Sequence, residues 1–159
     1  MFEEQGLDLA DVILLVNTHL HFDHCGQNYL FPSIPIYVQA TEYAAAQQPD
    51  FTIVEWVDFE GARYVQVNGD VEILPGIRVI ATPGHTPGHQ SVVVETEEGR
   101  IIISGQAVYS ANDYDQLLTT GELASDPRPQ ALASAKRLLD LHPQRVLFSH
   151  DTAVWETGA

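Results

Sequence analysis

Apolar and polar positions along the chain follow two periods. Short apolar runs rich in β-branched residues lie at Val12 to Asn17, Ile36 to Val38, Ile77 to Ala81, Ser91 to Glu95, Arg100 to Ser104 and Arg145 to Phe148. Each is bounded by turn residues and reads as a strand. Tyr64 to Val67 and Val71 to Leu74 flank Asn68-Gly69-Asp70 and read as strand, tight turn, strand. Helical spacing is rarer. Thr41 caps a helix that runs through Gln47 and is stopped by Pro49. Asp126-Pro127 opens another, with Leu132, Ala135, Leu138 and Leu139 on one face. Phe2 to Ala10 reads as the tail of a short helix, with Asp8 starting a turn. Phe51 to Tyr64 reads as a loop or lid with some strand, and Tyr109 to Leu123 as a polar loop.

The first strand runs into Thr18-His19-Leu20-His21-Phe22-Asp23-His24, which places three imidazoles and a carboxylate within six residues. His19, His21 and Asp23 are two apart, so an extended backbone points them to one side, and His24 requires a bend after Asp23. His85, Gln106 and His150 also lie just after apolar strands. Strand ends collect on one edge of a sheet, so these distant residues can converge. A hydrolytic metal needs neutral imidazoles, a balancing carboxylate and a position left open for water. His19, His21 and His85 can fill three positions of one ion, and Asp23, His24 and His150 three positions of a second.

Composition narrows the partners. The 159 residues suit a single domain spanning 1–159, and 7 basic against 22 acidic residues give a formal charge of −15. This excludes nucleic acid or an anionic membrane bound through a basic surface and is compatible with a site for cations and a small-molecule substrate. Cys25 is the only cysteine, which rules out an intrachain disulfide and a cysteine-based zinc cluster. Met1-Phe2-Glu3-Glu4 does not resemble a signal peptide, and no apolar run approaches the roughly 20 residues of a membrane span. The reading is a cytoplasmic chain.

Thr18 to His24 resembles the first metal motif of the metallo-β-lactamase superfamily. Thr82-Pro83-Gly84-His85-Thr86-Pro87-Gly88-His89 is similar to its second, and Phe148-Ser149-His150-Asp151 to its last. Within the superfamily the chain most resembles the N-acyl homoserine lactone lactonases, through Ile36-Tyr37-Val38-Gln39, Thr41-Glu42-Tyr43, Ile73-Leu74-Pro75-Gly76, His89-Gln90-Ser91 and Val108-Tyr109. The resemblance runs from about Asp8 to Asp151. It implies an α/β fold, the αβ/βα sandwich of two facing sheets with helices outside. It also implies one or two Zn2+ ions and attack of a metal-held hydroxide on a lactone carbonyl. Tyr109 would bind the carbonyl or the developing oxyanion, and Asp23 would pass a proton to the leaving ring oxygen. Thioester, phosphoester and β-lactam substrates belong to sister hydrolases, and a metal-binding chain with little turnover is a different class that also stays open.

Two departures from the family pattern carry expectations. The family places an aspartate that bridges both ions at the position of Gln106, and a neutral amide is a poorer bridge. The His19, His21 and His85 position is therefore expected to survive and the other to have reduced occupancy. Second, only 18 residues precede His19, where the family carries the first half of the sandwich. The expectation is a chain with that half largely missing, an exposed apolar face and a tendency to form homo-oligomers. Other residues receive plainer roles. His89 braces its loop, Asp151 accepts hydrogen bonds behind His150, Cys25 is a small buried thiol, and His142 ends a helix at the surface. Trp56, Phe59 and Tyr64 line an acyl pocket or pack in the core, and Asp113, Asp115 and Glu122 form a solvated acidic loop.

Overall fold

The computed structural model describes residue 6 and residues 8–158. Most of the helix expected at Phe2 to Ala10 lies outside the described residues. Asp8 does start a turn, its carboxylate accepting from the Ala10 amide ahead of a 3-10 turn at Leu9–Asp11. Three parallel strands follow in one sheet, β1 (Leu15–Val16), β2 (Pro35–Gln39) and β3 (Arg63–Val67). A second sheet holds six strands in sequence order: β4 (Val71–Leu74), β5 (Ile77–Ala81), β6 (Gln90–Thr96), β7 (Gly99–Ile103), β8 (Arg145–Leu147) and β9 (Val154–Glu156). It is antiparallel except between β7 and β8.

Alternation along the strands builds the layers. Val79 and Val92 face Val67 of the other sheet, with Val16, Tyr37 and Val65 packed around them, so the two sheets meet face to face. The next residues along β5 to β8, namely Ile80, Val93, Ile102 and Val146, point the other way. There they pack under α4 (Ala111–Thr120) and α5 (Pro129–Leu139). On the outer side of the small sheet, Val38 packs with Leu20, Cys25, Ala46 and Val57. These come from the motif loop and from α1 (Phe22–Cys25), α2 (Ala40–Ala46) and α3 (Val54–Val57). The order helix, sheet, sheet, helix is that of an αβ/βα sandwich. Among the described residues β1 is paired on one side only, and Ile13 just before it is 69% exposed.

Several expectations are corrected. The two strands around Asn68-Gly69-Asp70 are not a hairpin, because β3 belongs to the small sheet and β4 to the large one. The buried Gln39 side chain explains the crossing. It donates to the Gly69 carbonyl at 2.8 Å and accepts from the Gly69 amide at 2.9 Å, holding the turn to the end of β2. Tyr109 to Leu123 is largely helix: Ser110 caps α4, Gly121 ends it with φ of 73°, and Tyr114 and Leu117 bury one face. Phe51 to Tyr64 contains α3 and the start of β3. Helix α2 starts at Ala40, one residue before the expected cap, and α5 starts at Pro129 rather than at Asp126-Pro127.

Among the described residues no helix is long and apolar enough to cross a membrane. The strand faces give a test. Ile102 is fully buried under the helices, whereas Ile103 is 38% exposed on the opposite face. We expect Ile102→Ala to lower unfolding stability by about 2–5 kcal/mol and Ile103→Ala by less than about 1 kcal/mol, measured from urea midpoints.

Candidate metal centre

Strands β1, β5, β7 and β8 all end on one edge of the sandwich, and the loops that leave β1, β5 and β8 carry the histidines while that after β7 carries Gln106. β1 delivers His19 and His21 in extended chain, and the backbone then turns into α1 immediately after His21. Asp23 and His24 therefore sit on a helix, and the bend falls before Asp23 rather than after it. This separates the motif into two groups. His19, His21 and His85 have ligand atoms within 4.8 Å of one another, and so do Asp23, His24 and His150.

The contacts inside each group are those of converging lone pairs. His85 Nε2 lies 3.1 Å from His21 Nδ1, and His24 Nε2 lies 3.2 Å from His150 Nε2. Asp23 Oδ2 is 3.3 Å from His24 Nε2 and 3.7 Å from His150 Nε2. Two neutral ring nitrogens facing each other at this range repel unless a proton or a cation lies between them. His19 sharpens the point. Its ring is fully buried, Nδ1 lies 3.2 Å from the Thr18 hydroxyl, and Nε2 has no hydrogen-bond partner. A buried nitrogen without a partner is costly, and a coordinated cation removes that cost.

Electrostatics favour the unprotonated rings that coordination needs. Burial, reinforced by the neighbouring histidines, drives the His19 pKa far below the usual histidine range. Burial and then His21 bring His85 down to about 4. Burial also lowers His24, against the opposing pull of Asp23. Neutral imidazoles with one carboxylate fit a divalent transition-metal cation.

Around these groups the structure holds each ring in place. Tyr109 Oη lies 2.7 Å from His85 Nδ1, which leaves His85 Nε2 facing His21. Burial raises the Tyr109 pKa, so its hydroxyl keeps its proton at neutral pH. Gln106 is buried, and its side chain is close enough to interact with both His24 and Tyr109. Asp151 accepts from the amides of Ala111 and Ala153 and ties the His150 loop to the start of α4. Cys25 faces the Leu20 carbonyl and the core, away from the histidine groups. His142 is exposed at the turn after α5, with φ of 49°. Of the three aromatics expected at a pocket, only Trp56 lines the cleft of about 750 Å3 beside Asp23 and His24, together with Phe22, Gly26, Gln27 and Tyr29. Tyr64 packs against the core with Tyr43 and Phe51.

Two buried residues escaped the sequence reading. Glu42 accepts hydrogen bonds from both histidine loops. Its signal was a charged residue one turn from Ala46 on the inward face of α2. Asn17 donates to the His24 carbonyl and pairs with Asn28, bracing α1 from behind.

His89 does not join either ligand group. It is fully buried, its Nδ1 donates to the Thr82 carbonyl at 3.1 Å, and its Nε2 accepts from the Gln106 amide at 2.9 Å. Gly105 has φ of 62°, and a Cβ there would come within 2.6 Å of His89 Nε2, so only glycine fits the turn. Burial pulls the His89 pKa down to about 3. The unfolded chain takes up this proton near 6.5 and the folded chain only near 3, so stability is intact above pH 6.5 and is lost as the pH falls towards 3. Chelator-treated protein should lose about 1.6 kcal/mol through His89 between pH 6.5 and 5, on top of the losses through His19 and His85, read from urea midpoints. A midpoint that does not fall in that window would contradict burial of a neutral His89.

Comparison with known proteins agrees with this geometry. The family model of the metallo-beta-lactamase superfamily matches residues 1–150. An N-acyl homoserine lactonase of Bacillus sp is 36% identical over 150 residues, covering 92% of this chain and 58% of that protein. An N-acyl homoserine lactonase of Agrobacterium fabrum is 30% identical over 167 residues, covering 94% and 62%. Among solved structures, an N-acyl homoserine lactone hydrolase with N-hexanoyl-L-homoserine at its catalytic metal centre superimposes with a TM-score of 0.79 at 34% identity, covering 95% of this chain and 60% of that one. The chain thus spans about three fifths of the relatives it matches. Its layered sheets, its histidine loops and the family match over residues 1–150 lead to one conclusion: the chain belongs to the metallo-β-lactamase superfamily.

Proposed function

We propose that the protein is a metal-dependent hydrolase that opens the ring of an N-acyl homoserine lactone. The observation that carries this reading is the pair of donor groups at one sandwich edge, one of them containing a buried histidine nitrogen with no partner. The named relatives and the product-bound neighbour, each similar over nearly all of this chain, support the substrate class. His19, His21 and His85 would hold one ion, and Asp23, His24 and His150 a second. Zn2+ is the cation that best suits a set dominated by imidazole. Bound there, the metal supplies Lewis acidity and activates water near neutral pH.

The remaining work falls to side chains of this chain. His85 Nδ1–H donates to the Tyr109 oxygen when Nε2 is the coordinating atom, which leaves the phenol proton free. Tyr109 then directs that proton at the lactone carbonyl oxygen, where negative charge develops as the nucleophile adds. Asp23, at 42% side-chain exposure beside the cleft, would take up the proton that the attacking water gives up and pass it to the departing ring oxygen. The aromatic wall of Phe22, Tyr29 and Trp56 gives the acyl chain an apolar surface.

A second reading draws on Gln106. The six donor residues contribute a single carboxylate, and Gln106, at the position of the family's bridging aspartate, is neutral. Two dications repel strongly at close range without bridging anions. On this reading the first position is tightly held, the second is weak, and turnover is low.

Titration of the metal-free chain with Zn2+, combined with elemental analysis, tests both readings. We expect one tight ion, loss of that ion in His85→Ala, and a second tight ion in Gln106→Asp. Hydrolysis of N-hexanoyl homoserine lactone, followed by acid release, should stop on chelation and fall by about 10²–10⁴-fold in Asp23→Asn. Absence of bound metal, or turnover of a thioester, phosphoester or β-lactam but not of the lactone, would refute the proposal.

A further inference from the structure

Glu42 lies on α2, is fully buried, and belongs to neither donor group. One carboxylate oxygen accepts from the amide of Leu20, the residue between His19 and His21, at 2.9 Å. The other accepts from the Thr86 hydroxyl at 2.7 Å and the Gly88 amide at 3.0 Å, both in the loop that carries His85. Helix α2 comes so close to this loop that a Cβ on Gly88 would lie 2.1 Å from the Glu42 amide nitrogen. Among the described residues no lysine or arginine pairs with Glu42.

We propose that Glu42 is a positioning residue that sets the triangle of His19, His21 and His85 by gathering donors from both loops onto one carboxylate. The inference rests on the reading that this triangle holds a cation. Three features argue for it over a plain structural staple. The donors it collects flank all three ligands directly, so a shift of the carboxylate moves both loops. The triangle holds only imidazoles, and Glu42 is a buried carboxylate that accepts from three donors on the same two loops, so its charge would offset that of a bound dication. Finally, all three of its partners donate. A carboxylate satisfies them together, whereas an amide cannot. In either orientation a glutamine here would turn its NH2 towards the Leu20 amide or towards the Gly88 amide, opposing donor to donor. The chemistry therefore specifies Glu and excludes its isostere. Outer groups that orient metal-bound histidines commonly change affinity by about 10–100-fold when removed.

The test uses the full chain in two states. Far-UV circular dichroism reports folding. In the metal-free protein, nitrogen-15 shifts of the imidazoles report the orientation of His19, His21 and His85. In the loaded protein, Zn2+ affinity and the visible absorption of the Co2+ form report the ligand geometry. Glu42→Gln is expected to stay folded, move the ring shifts of all three histidines, weaken Zn2+ by about 10–100-fold and alter the Co2+ bands. Thr86→Val should change each readout in the same direction by less, and Thr86→Ser should restore it. A folded Glu42→Gln with wild-type ring shifts or wild-type Zn2+ affinity overturns the proposal. Should Glu42→Gln fail to fold, Thr86→Val decides in its place, and wild-type affinity and ring shifts in that variant overturn it. Should the wild-type triangle take up no Zn2+, the metal reading fails by itself. The metal-free ring shifts then decide the positioning role alone, unmoved shifts rejecting it and moved shifts sustaining it.

Discussion

The sandwich depends on a polar seam where its two sheets meet. Apolar contact holds the facing layers together, but hydrophobic attraction has no direction and does not by itself fix how the sheet ends align. Gln90, fully buried at the start of β6, fixes that alignment. Its NH2 donates to the carbonyls of Asn17 and Tyr37, its carbonyl accepts from the Gln39 amide, and its backbone amide donates to Thr18. Every polar group of the side chain is used, as a buried amide demands. The consequence is local and chemical: the chain just before His19 is bonded to the strand that follows the His85 loop. The segment carrying His19 and His21 and the loop carrying His85 are therefore held in register by main-chain and amide hydrogen bonds.

How much of this was legible in the residues depends on whether a signal was local. The motif from His19 to His24 is dense in one stretch, and its pairing with His85 and His150 follows from their places after strands. The strand set was readable for the same reason, since alternation is a short-range property. The crossing between the sheets depends instead on a partner far away in sequence. The turn at Asn68-Gly69-Asp70 has the composition of a hairpin, and only the distant Gln39 side chain makes it a crossing between sheets. Helix α4 looked like a polar loop because Asp113, Asp115, Thr119 and Thr120 outnumber its two buried side chains, Tyr114 and Leu117. Its Ser110 cap and Gly121 stop were nevertheless present in the sequence. Glu42 passes for an ordinary helix residue because its one-turn spacing from Ala46 is a weak signal among three consecutive alanines.

The acidic balance of the chain also takes on a more specific meaning. Most of its carboxylates are on the surface, and the salt bridges of Arg100, Arg137 and Arg145 have partly exposed partners that contribute little individually. Near the histidines the distribution is different: Glu42 is buried and satisfied, Asp23 stands at the cleft, and Asp151 holds a loop. Burial lowers the pKa values of His19, His24 and His85. Negative charge is thus set around the imidazoles by residues outside the two histidine groups as well as by Asp23 within them.

The latch formed by His89 on the Gln106 amide has a further consequence. Main-chain placement at residue 106 is set by His89 and by the glycine turn at Gly105, neither of which depends on the nature of the side chain at 106. That residue sits in a socket whose walls belong to others. Exchanging its occupant retunes the charge beside the histidines while the scaffold stays as it is, so a single codon changes the electrostatics of this sandwich edge without reworking the fold.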